Sequence, residues 1–280
     1  IADLEFPEEK IQFEVENPML WWTHDLGEPH LYNAKLILLQ NGEVKDKKEK
    51  KVGIRTIEIQ RRLANGNYAF YTKINQVPLF SKGANWVPIS NRIPSKQKED
   101  YEYLLGMAKK ANMNTIALWG GGIYEQDAFY DYCNENGILI WQYFMFACGE
   151  YPDFDKEYLQ NIKIEVIEAA KRLASHPSVA VWVGNVEGQM ISEKINLDRP
   201  MYGKRMFEEY IPEWLLKIDP YRFYISSSPW TEEGLANSMS SGDRHNWDVW
   251  FSDIPYTDYK KDTTTFCSEF GLHASPVLAT

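Results

Sequence analysis

Short apolar runs alternate with helical patterns along the chain from Leu63 onward, and this alternation limits the possible folds more than any other feature. The residues of the first helical pattern recur at the spacing of one helix face: Tyr101, Leu104, Leu105, Ala108 and Ala111. Further helices are predicted at 126–136, ending at Gly137, at 159–173 and at 202–218, and strands at 115–119, 138–144, 179–183, 223–226 and 265–268. Repeated strand–helix units predict a parallel sheet, as in a (β/α)₈ barrel or a doubly wound sheet.

The phosphate-binding signatures of doubly wound proteins are absent from the sequence. No Gly-x-Gly-x-x-Gly turn follows a predicted strand, and Gly120-Gly121-Gly122 lacks the Gly-Lys-Ser/Thr ending of a phosphate loop. The pattern therefore favours an α/β fold of the (β/α)₈ (TIM) barrel type. The sequence ends soon after the seventh predicted strand, so we expect the barrel to be truncated and the chain to be part of a longer protein.

The first 62 residues follow a different pattern. Apolar residues alternate at Ile11, Phe13 and Val15, and two later alternating runs flank Asn41-Gly42, a typical hairpin turn. We predict an incomplete antiparallel β-domain at 1–62 and the barrel domain at 63–280.

Composition excludes several classes of partner. The net charge of −10 and a pI near 5.1 argue against nucleic acid and anionic membranes, and no run of 18 apolar residues is present. The three cysteines, Cys133, Cys148 and Cys267, are predicted to be buried free thiols. No His/Cys/Asp cluster has metal-ligand spacing, so neither a metal nor an organic cofactor is predicted. Nothing in the sequence indicates a cellular compartment.

Two carboxylates follow predicted strands at the edge where barrel enzymes place their active sites. Glu187 follows the run Val179–Val183, and Glu269 follows Thr265–Ser268. A carboxylate buried at a strand end is costly unless it is paired or used in chemistry. A carboxylate of this kind, taken alone, is more often a member of a structural ion pair. Together they predict a pair that faces the barrel mouth.

Several further motifs stand out in the sequence: Gly83-Ala84-Asn85-Trp86-Val87-Pro88, Trp119-Gly120-Gly121-Gly122-Ile123-Tyr124-Glu125, Asp127-Ala128-Phe129-Tyr130-Asp131, Trp141-Gln142, Phe144-Met145-Phe146-Ala147-Cys148, His176-Pro177-Ser178 and Ser268-Glu269-Phe270-Gly271. These motifs resemble those of the β-mannosidases in the β-galactosidase-like glycoside hydrolase family 2. The early run Asn17–Trp22 resembles the immunoglobulin-like domain that precedes the barrel in this family.

The resemblance implies a retaining exo-glycosidase acting on a carbohydrate, with Glu187 as acid/base and Glu269 as nucleophile. It further implies substrate-binding positions at Trp119, Tyr143, Asn185, Val186, His245 and Trp247. Simple barrel packing for Trp119 and a core histidine at His245 are the alternatives.

Three positions depart from the family pattern. Ala117 stands where the family has Arg, Tyr143 where it has Asp, and Val186 where it has Asn. These changes leave two functions open: a β-mannosidase-like hydrolase, or a repurposed, engineered or lapsed barrel that binds another ligand or uses a buried glutamate as a general base.

Overall fold

The structure, a computed structural model, describes residues 14–90, 92, 97–195 and 199–271. The predicted strand around Ile11 and Phe13 therefore lies outside the described residues, and so does the last part of the predicted barrel domain, 272–280. None of the helices within the described ranges combines the length and apolar character that a bilayer-spanning segment needs.

The first described strands form the predicted hairpin. Strand β1 (Tyr32–Gln40) pairs antiparallel with β2 (Glu43–Val52). Asn41 and Gly42 join them with φ angles of 55° and 81°, as a two-residue turn with both central residues left-handed requires. The sequence prediction of a turn at Asn41-Gly42 is thus confirmed.

A second antiparallel sheet follows. It consists of β3 (Ile57–Arg62), β4 (Tyr68–Ile74) and β5 (Val77–Leu79), in the order β3-β4-β5. The domain boundary predicted at residues 62 and 63 falls inside this sheet, at the end of β3. The parallel part of the fold begins only after it.

Within the described ranges, seven strands with parallel pairing then follow one another along the chain. Five form one sheet in sequential order: β6 (Gly83–Trp86), β7 (Thr115–Leu118), β8 (Leu139–Tyr143), β9 (Val179–Val183) and β10 (Phe223–Ile225). The other two pair with each other: β11 (Arg244–Asn246) and β12 (Cys267–Phe270). The predicted α/β fold with a parallel sheet is confirmed.

Helices lie between these strands. They are α1 (Lys98–Lys110), α2 (Asp127–Asn136), α3 (Lys156–Leu173), α4 (Gly188–Lys194), α5 (Ile211–Leu215) and α6 (Asp248–Phe251). Gly137 ends α2 in the left-handed conformation, as predicted. The helix predicted at 202–218 is shorter and irregular, because a π-helical turn at Met206–Tyr210 precedes α5.

The strands separate two apolar cores because successive side chains point to opposite faces. Ile140 of β8 and Trp182 of β9 belong to the outer core, which packs against α1, α2 and α3. Trp141 and Val183, one position along, belong to the inner core, which Phe70 of β4 also joins. The three-stranded antiparallel sheet thus contributes to the inner core of the parallel strands.

Candidate active site

Glu187 lies on the loop between β9 and α4 in a conformation that few residues adopt. Its φ of 59° is left-handed, which costs a residue with a side chain about 1–3 kcal/mol. Its backbone N–H donates to the Ser228 carbonyl at 2.8 Å, which ties the loop to the segment after β10. The strained backbone is therefore held by neighbouring structure, and α4 begins directly after it.

Glu269 lies within β12 and is almost fully buried, with 6% of its surface exposed. Its register partner on β11 is His245. The Trp247 indole N–H donates to Glu269 Oε2 at 3.2 Å. A buried carboxylate with so few donors retains much of its desolvation cost.

His245 brings the two glutamates together. Its Nδ1 atom lies 3.0 Å from Glu187 Oε1 and 3.4 Å from Glu269 Oε2. These three atoms all lie within 4.8 Å of one another, close enough for a metal ion to bind between them. That no metal is needed stays a prediction.

The two carboxyl groups experience opposite effects. Burial, together with the nearby charges of Glu187 and Asp243, raises the pKa of Glu269, although His245 and Trp247 oppose this. Burial also acts to raise the pKa of Glu187, but the hydrogen bond and charge of His245, together with Cys148 and Lys194, outweigh it, so the pKa of Glu187 is lowered. His245 therefore favours the anionic form of both glutamates, and burial is outweighed only at Glu187.

A buried polar cluster behind His245 was not predicted from the sequence. Ser228 Oγ lies 3.0 Å from His245 Nε2 and donates to Asp243 Oδ2 at 2.6 Å. Asp243 is fully buried and also accepts from Ser268 Oγ at 2.6 Å and from the Trp230 N–H at 2.8 Å. Asp243 lies two residues before the predicted site residue His245, but nothing in the sequence pointed to Ser228.

The glutamates open into a cavity of about 630 Å³, which contains Trp119, His245 and Trp247 in its lining. Both tryptophan rings lie against glycines. A Cβ atom on Gly121 would overlap the Trp119 ring, and one on Gly271 would come within 2.6 Å of the Trp247 ring. The glycines of Trp-Gly-Gly-Gly and Glu-Phe-Gly therefore make room for the two aromatic walls.

Residues of α4 and α6 also line the cavity. Ile191 and Lys194 line it four and seven residues after Glu187, on the same helix face. Asp248, Trp250 and Phe251 of α6 line it too. The two helices therefore contribute both apolar and charged side chains to the cavity wall.

Three predicted substrate-binding residues do not line this cavity. Tyr143 and Val186 are each 1% exposed and belong to the inner core, which also includes Ala117. Asn185 is buried in the loop before Glu187. Its Nδ2 donates to the Ser226 carbonyl at 2.8 Å, and its Oδ1 accepts from the Gly188 N–H at 2.9 Å. The structure therefore brings together Glu187, Glu269, Trp119, His245 and Trp247, and places Asn185 where it holds the Glu187 loop.

The cysteine prediction was wrong for Cys148. Cys133 is buried as expected, and Cys267 is partly buried, but Cys148 is exposed and lines the cavity. Its thiol lies 3.5 Å from Glu187 Oε2, and burial together with the Glu187 charge raises its pKa to about 11. The apolar run Phe144–Ala147 suggested burial, but the chain turns outward at Cys148, where φ is 54°.

Comparison with known proteins agrees with this geometry. A family model described as "Glycosyl hydrolases family 2" matches residues 2–55. Beta-mannosidase B of Aspergillus terreus is 34% identical over 97% of this chain. The crystal structure of the beta-D-mannosidase from Dictyoglomus thermophilum superposes with a TM-score of 0.90 and 41% identity over 95% of the chain. The chain resembles the β-mannosidases of glycosyl hydrolase family 2.

The resemblance predicted from the motifs is thus confirmed. A beta-glucuronidase from Parabacteroides merdae shares the fold at a TM-score of 0.65 and 19% identity, over 90% of this chain and 31% of that one. The present chain covers 34% of the Aspergillus relative and 33% of the Dictyoglomus structure. It therefore spans about a third of the length of these β-mannosidases.

Proposed function

We propose that the chain carries the catalytic pair of a retaining, exo-acting β-mannosidase-like hydrolase. In this proposal Glu269 attacks the anomeric carbon, and Glu187 protonates the leaving oxygen and later activates water. The observation that carries the proposal is the distance between the carboxylates. One oxygen of each carboxylate lies within 4.8 Å of the other, and this close approach supports a separation of roughly 5–5.5 Å, as in retaining enzymes, more than the wider gap of inverting ones.

The neighbouring residues support this division of roles. Trp247 and His245 both contact Glu269 Oε2, so the carboxylate is held in place while its other oxygen remains available for attack. Glu187 lies at the start of α4, whose cavity-facing residues would contact the leaving group that it protonates. Trp119 would form an aromatic wall for the C–H face of the sugar.

The substrate we propose is a terminal β-linked sugar, with a β-mannoside as the first candidate. The two β-mannosidase relatives above are the basis for the choice of sugar. An interior, partly aromatic cavity suits an uncharged carbohydrate, and nucleic acid or a membrane is not proposed as a partner.

The parallel strands fit a (β/α)₈ barrel, with Glu187 after the fourth and Glu269 in the seventh. We propose this architecture for the region from 63 onward, preceded by part of an immunoglobulin-like sandwich at 1–62. The family-model match at 2–55 and the β1–β2 hairpin support the second element.

A 2-fluoro β-mannoside tests the nucleophile. Fluorine at C2 slows hydrolysis of the glycosyl-enzyme, so mass spectrometry of the digested protein should find a sugar attached to the peptide that carries Glu269. A Glu269→Gln variant, which keeps the size of the side chain, should remain unlabelled. Turnover of an aryl β-mannoside by wild type without any adduct would overturn the retaining mechanism.

The raised pKa of Glu269 favours a second candidate function. A buried carboxylate whose pKa is raised is suited to accept protons from a bound ligand. In that case Glu269 would act as a general base, and the fluoro-sugar would leave no adduct while ligand turnover still required Glu269.

A further inference from the structure

The hydrogen bonds behind His245 determine where its protons lie. Ser228 has one hydroxyl proton and two close acceptor candidates, Asp243 Oδ2 at 2.6 Å and His245 Nε2 at 3.0 Å. Burial raises the pKa of Asp243, but the hydrogen bonds that it accepts from Ser268 and the Trp230 N–H oppose this and favour its ionised form. The Ser228 proton therefore points to Asp243.

This leaves one arrangement for the imidazole. Since Ser228 Oγ donates to Asp243, its contact with His245 is satisfied only if Nε2 carries a hydrogen and donates it. Asn237 fixes the backbone in this position, because its side chain accepts from the His245 N–H at 2.7 Å and donates to the His245 carbonyl at 3.0 Å. Asn237 thus holds the backbone of His245, and Ser228 contacts its ring.

The opposite nitrogen then faces the two glutamates. A 3.0 Å contact between Nδ1 and Glu187 Oε1 needs one hydrogen between the two atoms. That hydrogen can lie on Glu187, with Nδ1 accepting, or on Nδ1, with an imidazolium facing a carboxylate. The number of protons is the same in both forms.

We infer that Asp243 and Ser228 fix His245 with a hydrogen on Nε2, so that Nδ1 and Glu187 hold one catalytic proton between them. Ser228 and Asp243 are positioning residues, since neither lines the cavity. His245 stores the proton that Glu187 must deliver. The catalytic part of the inference rests on the proposed function, whereas the protonation state of the ring does not.

The proton balance closes over one catalytic cycle. In the first step the shared proton passes from Glu187 to the leaving oxygen as the glycosidic bond breaks and the Glu269–C1 bond forms. Glu187 is then a carboxylate beside an unprotonated Nδ1. In the second step a water molecule attacks C1, the Glu269–C1 bond breaks, and the water proton returns to the Glu187–His245 pair.

Nitrogen-15 NMR of the histidine side chains tests the protonation state directly. The chain contains five histidines, and His245→Gln identifies the signals of interest by their loss. At neutral pH we expect Nε2 of His245 to be protonated in wild type. In Ser228→Ala, which removes the acceptor, we expect a shift towards the form with a hydrogen only on Nδ1. Ser241→Ala is the matched control, because this buried serine contacts Thr231 and not the His245 cluster.

A wild-type spectrum with unprotonated Nε2, or a Ser228→Ala spectrum identical to wild type, would overturn the inference. Ser228→Ala should also lose about 10- to 100-fold in kcat/KM for an alkyl β-mannoside and little for a dinitrophenyl one, because only the former needs the proton. Equal loss for both substrates would rule out the catalytic role. If the spectra are as expected but neither wild type nor any variant turns over a mannoside, the proposed function is contradicted and the protonation state of His245 is not.

Discussion

At the scale of single residues, the site depends on how His245 affects the pKa values of Glu187 and Glu269. It lowers the pKa of Glu187 and only partly offsets the burial that raises the pKa of Glu269. Because Glu187, the proposed acid/base, has a lowered pKa, it needs a neighbouring group that can hold the proton. Because Glu269, the proposed nucleophile, has a raised pKa, it needs a higher pH to be ionised. Each shift has a consequence that can be measured.

Glu187→Ala should impair substrates in proportion to their need for a proton. We expect kcat/KM for an alkyl β-mannoside to fall by about 10²- to 10⁴-fold, the usual value of general acid catalysis, while a dinitrophenyl mannoside changes little in this step. Added azide should restore turnover of the activated substrate, because it replaces the water that Glu187 activates. Steady-state rates with both substrates, with and without azide, measure this. Equal losses without rescue would assign Glu187 another role.

Glu269 should make the folded chain less stable as pH rises. Its pKa is raised above the ordinary 4.5, so between that pH and the raised value the folded state binds more protons than the unfolded state. The free energy of unfolding therefore falls as pH rises through this window. Glu269→Gln should remove the fall, so urea unfolding at several pH values should show its advantage over wild type growing above pH 4.5.

Glu187→Gln is the control of opposite sign. The pKa of Glu187 is lowered, so its stabilising contribution is present above pH 4.5 and is lost as pH falls below it. This variant should be less stable than wild type at neutral pH and approach it in acid. The same pH trend in both variants would contradict the two opposite pKa shifts.

At the scale of elements, turns and close approaches position the walls of the cavity. Gly121→Ala and Gly271→Ala should each displace a tryptophan ring, since a new Cβ would overlap Trp119 or Trp247. We expect each to cost about 1–3 kcal/mol in stability, as for overpacking, and to lower kcat/KM. Thermal unfolding and aryl-mannoside kinetics measure both effects.

Gly149→Ala is the matched control for these two substitutions. It also lies near the cavity entrance, next to Cys148, but its nearest neighbour to a new Cβ is at an ordinary 3.6 Å. If Gly149→Ala lowers stability and kcat/KM as much as Gly121→Ala, any alanine in these loops is harmful, and displacement of the tryptophan ring is not the cause.

Strand patterns in the sequence predicted most of the parallel sheet, but not all of it. The runs before Trp119, in 138–144 and in Val179–Val183 are apolar on both faces, because these strands are covered on both sides. Strand β6 has no such run. Gly83 is needed there because a Cβ atom at this position would overlap the Thr115 carbonyl oxygen, and this contact comes from a strand far away in sequence.

The candidate site was predictable to the same extent. The positions of Glu187 and Glu269 follow from strand ends, and the tryptophans from motifs. Strand β11 consists of three buried polar residues, so no apolar run marks it. Ser228 reaches His245 only through the fold, and strand alternation places Tyr143 in the inner core, so contacts of these residues were not readable from local sequence.

At the scale of the whole molecule, partly buried polar contacts join the first β-part, the region that contains β1 to β5, to the parallel strands. Arg55 precedes β3 and donates to the carbonyls of Pro177 and Val179 at 3.1 and 2.8 Å. Arg55→Met should leave both carbonyls without this donor and cost about 2–4 kcal/mol, which urea unfolding would measure.

Lys51→Met provides a matched control for Arg55→Met. Lys51 also links the first β-part to a later helix, through Glu135 of α2 at 2.7 Å, but both side chains are about half exposed. An exposed pair contributes at most about 1 kcal/mol. If Lys51→Met proves as damaging as Arg55→Met, burial is not what makes the Arg55 contact important.

The division of the parallel strands into five and two has a consequence for heat inactivation. Glu187 follows the five-stranded sheet, whereas Glu269 and His245 lie on the β11–β12 pair. Among the described residues, contacts between the two parts include the backbone bridge between Trp230 and Asp243, the Ser228–Asp243 hydrogen bond and the contacts of His245 with Ser228 and Glu187. The distance between the two carboxylates is thus set by the contacts between the two sheets and not by hydrogen bonds within one sheet. On heating, the two sheets should separate first, so hydrolytic activity should disappear while most helical circular dichroism persists.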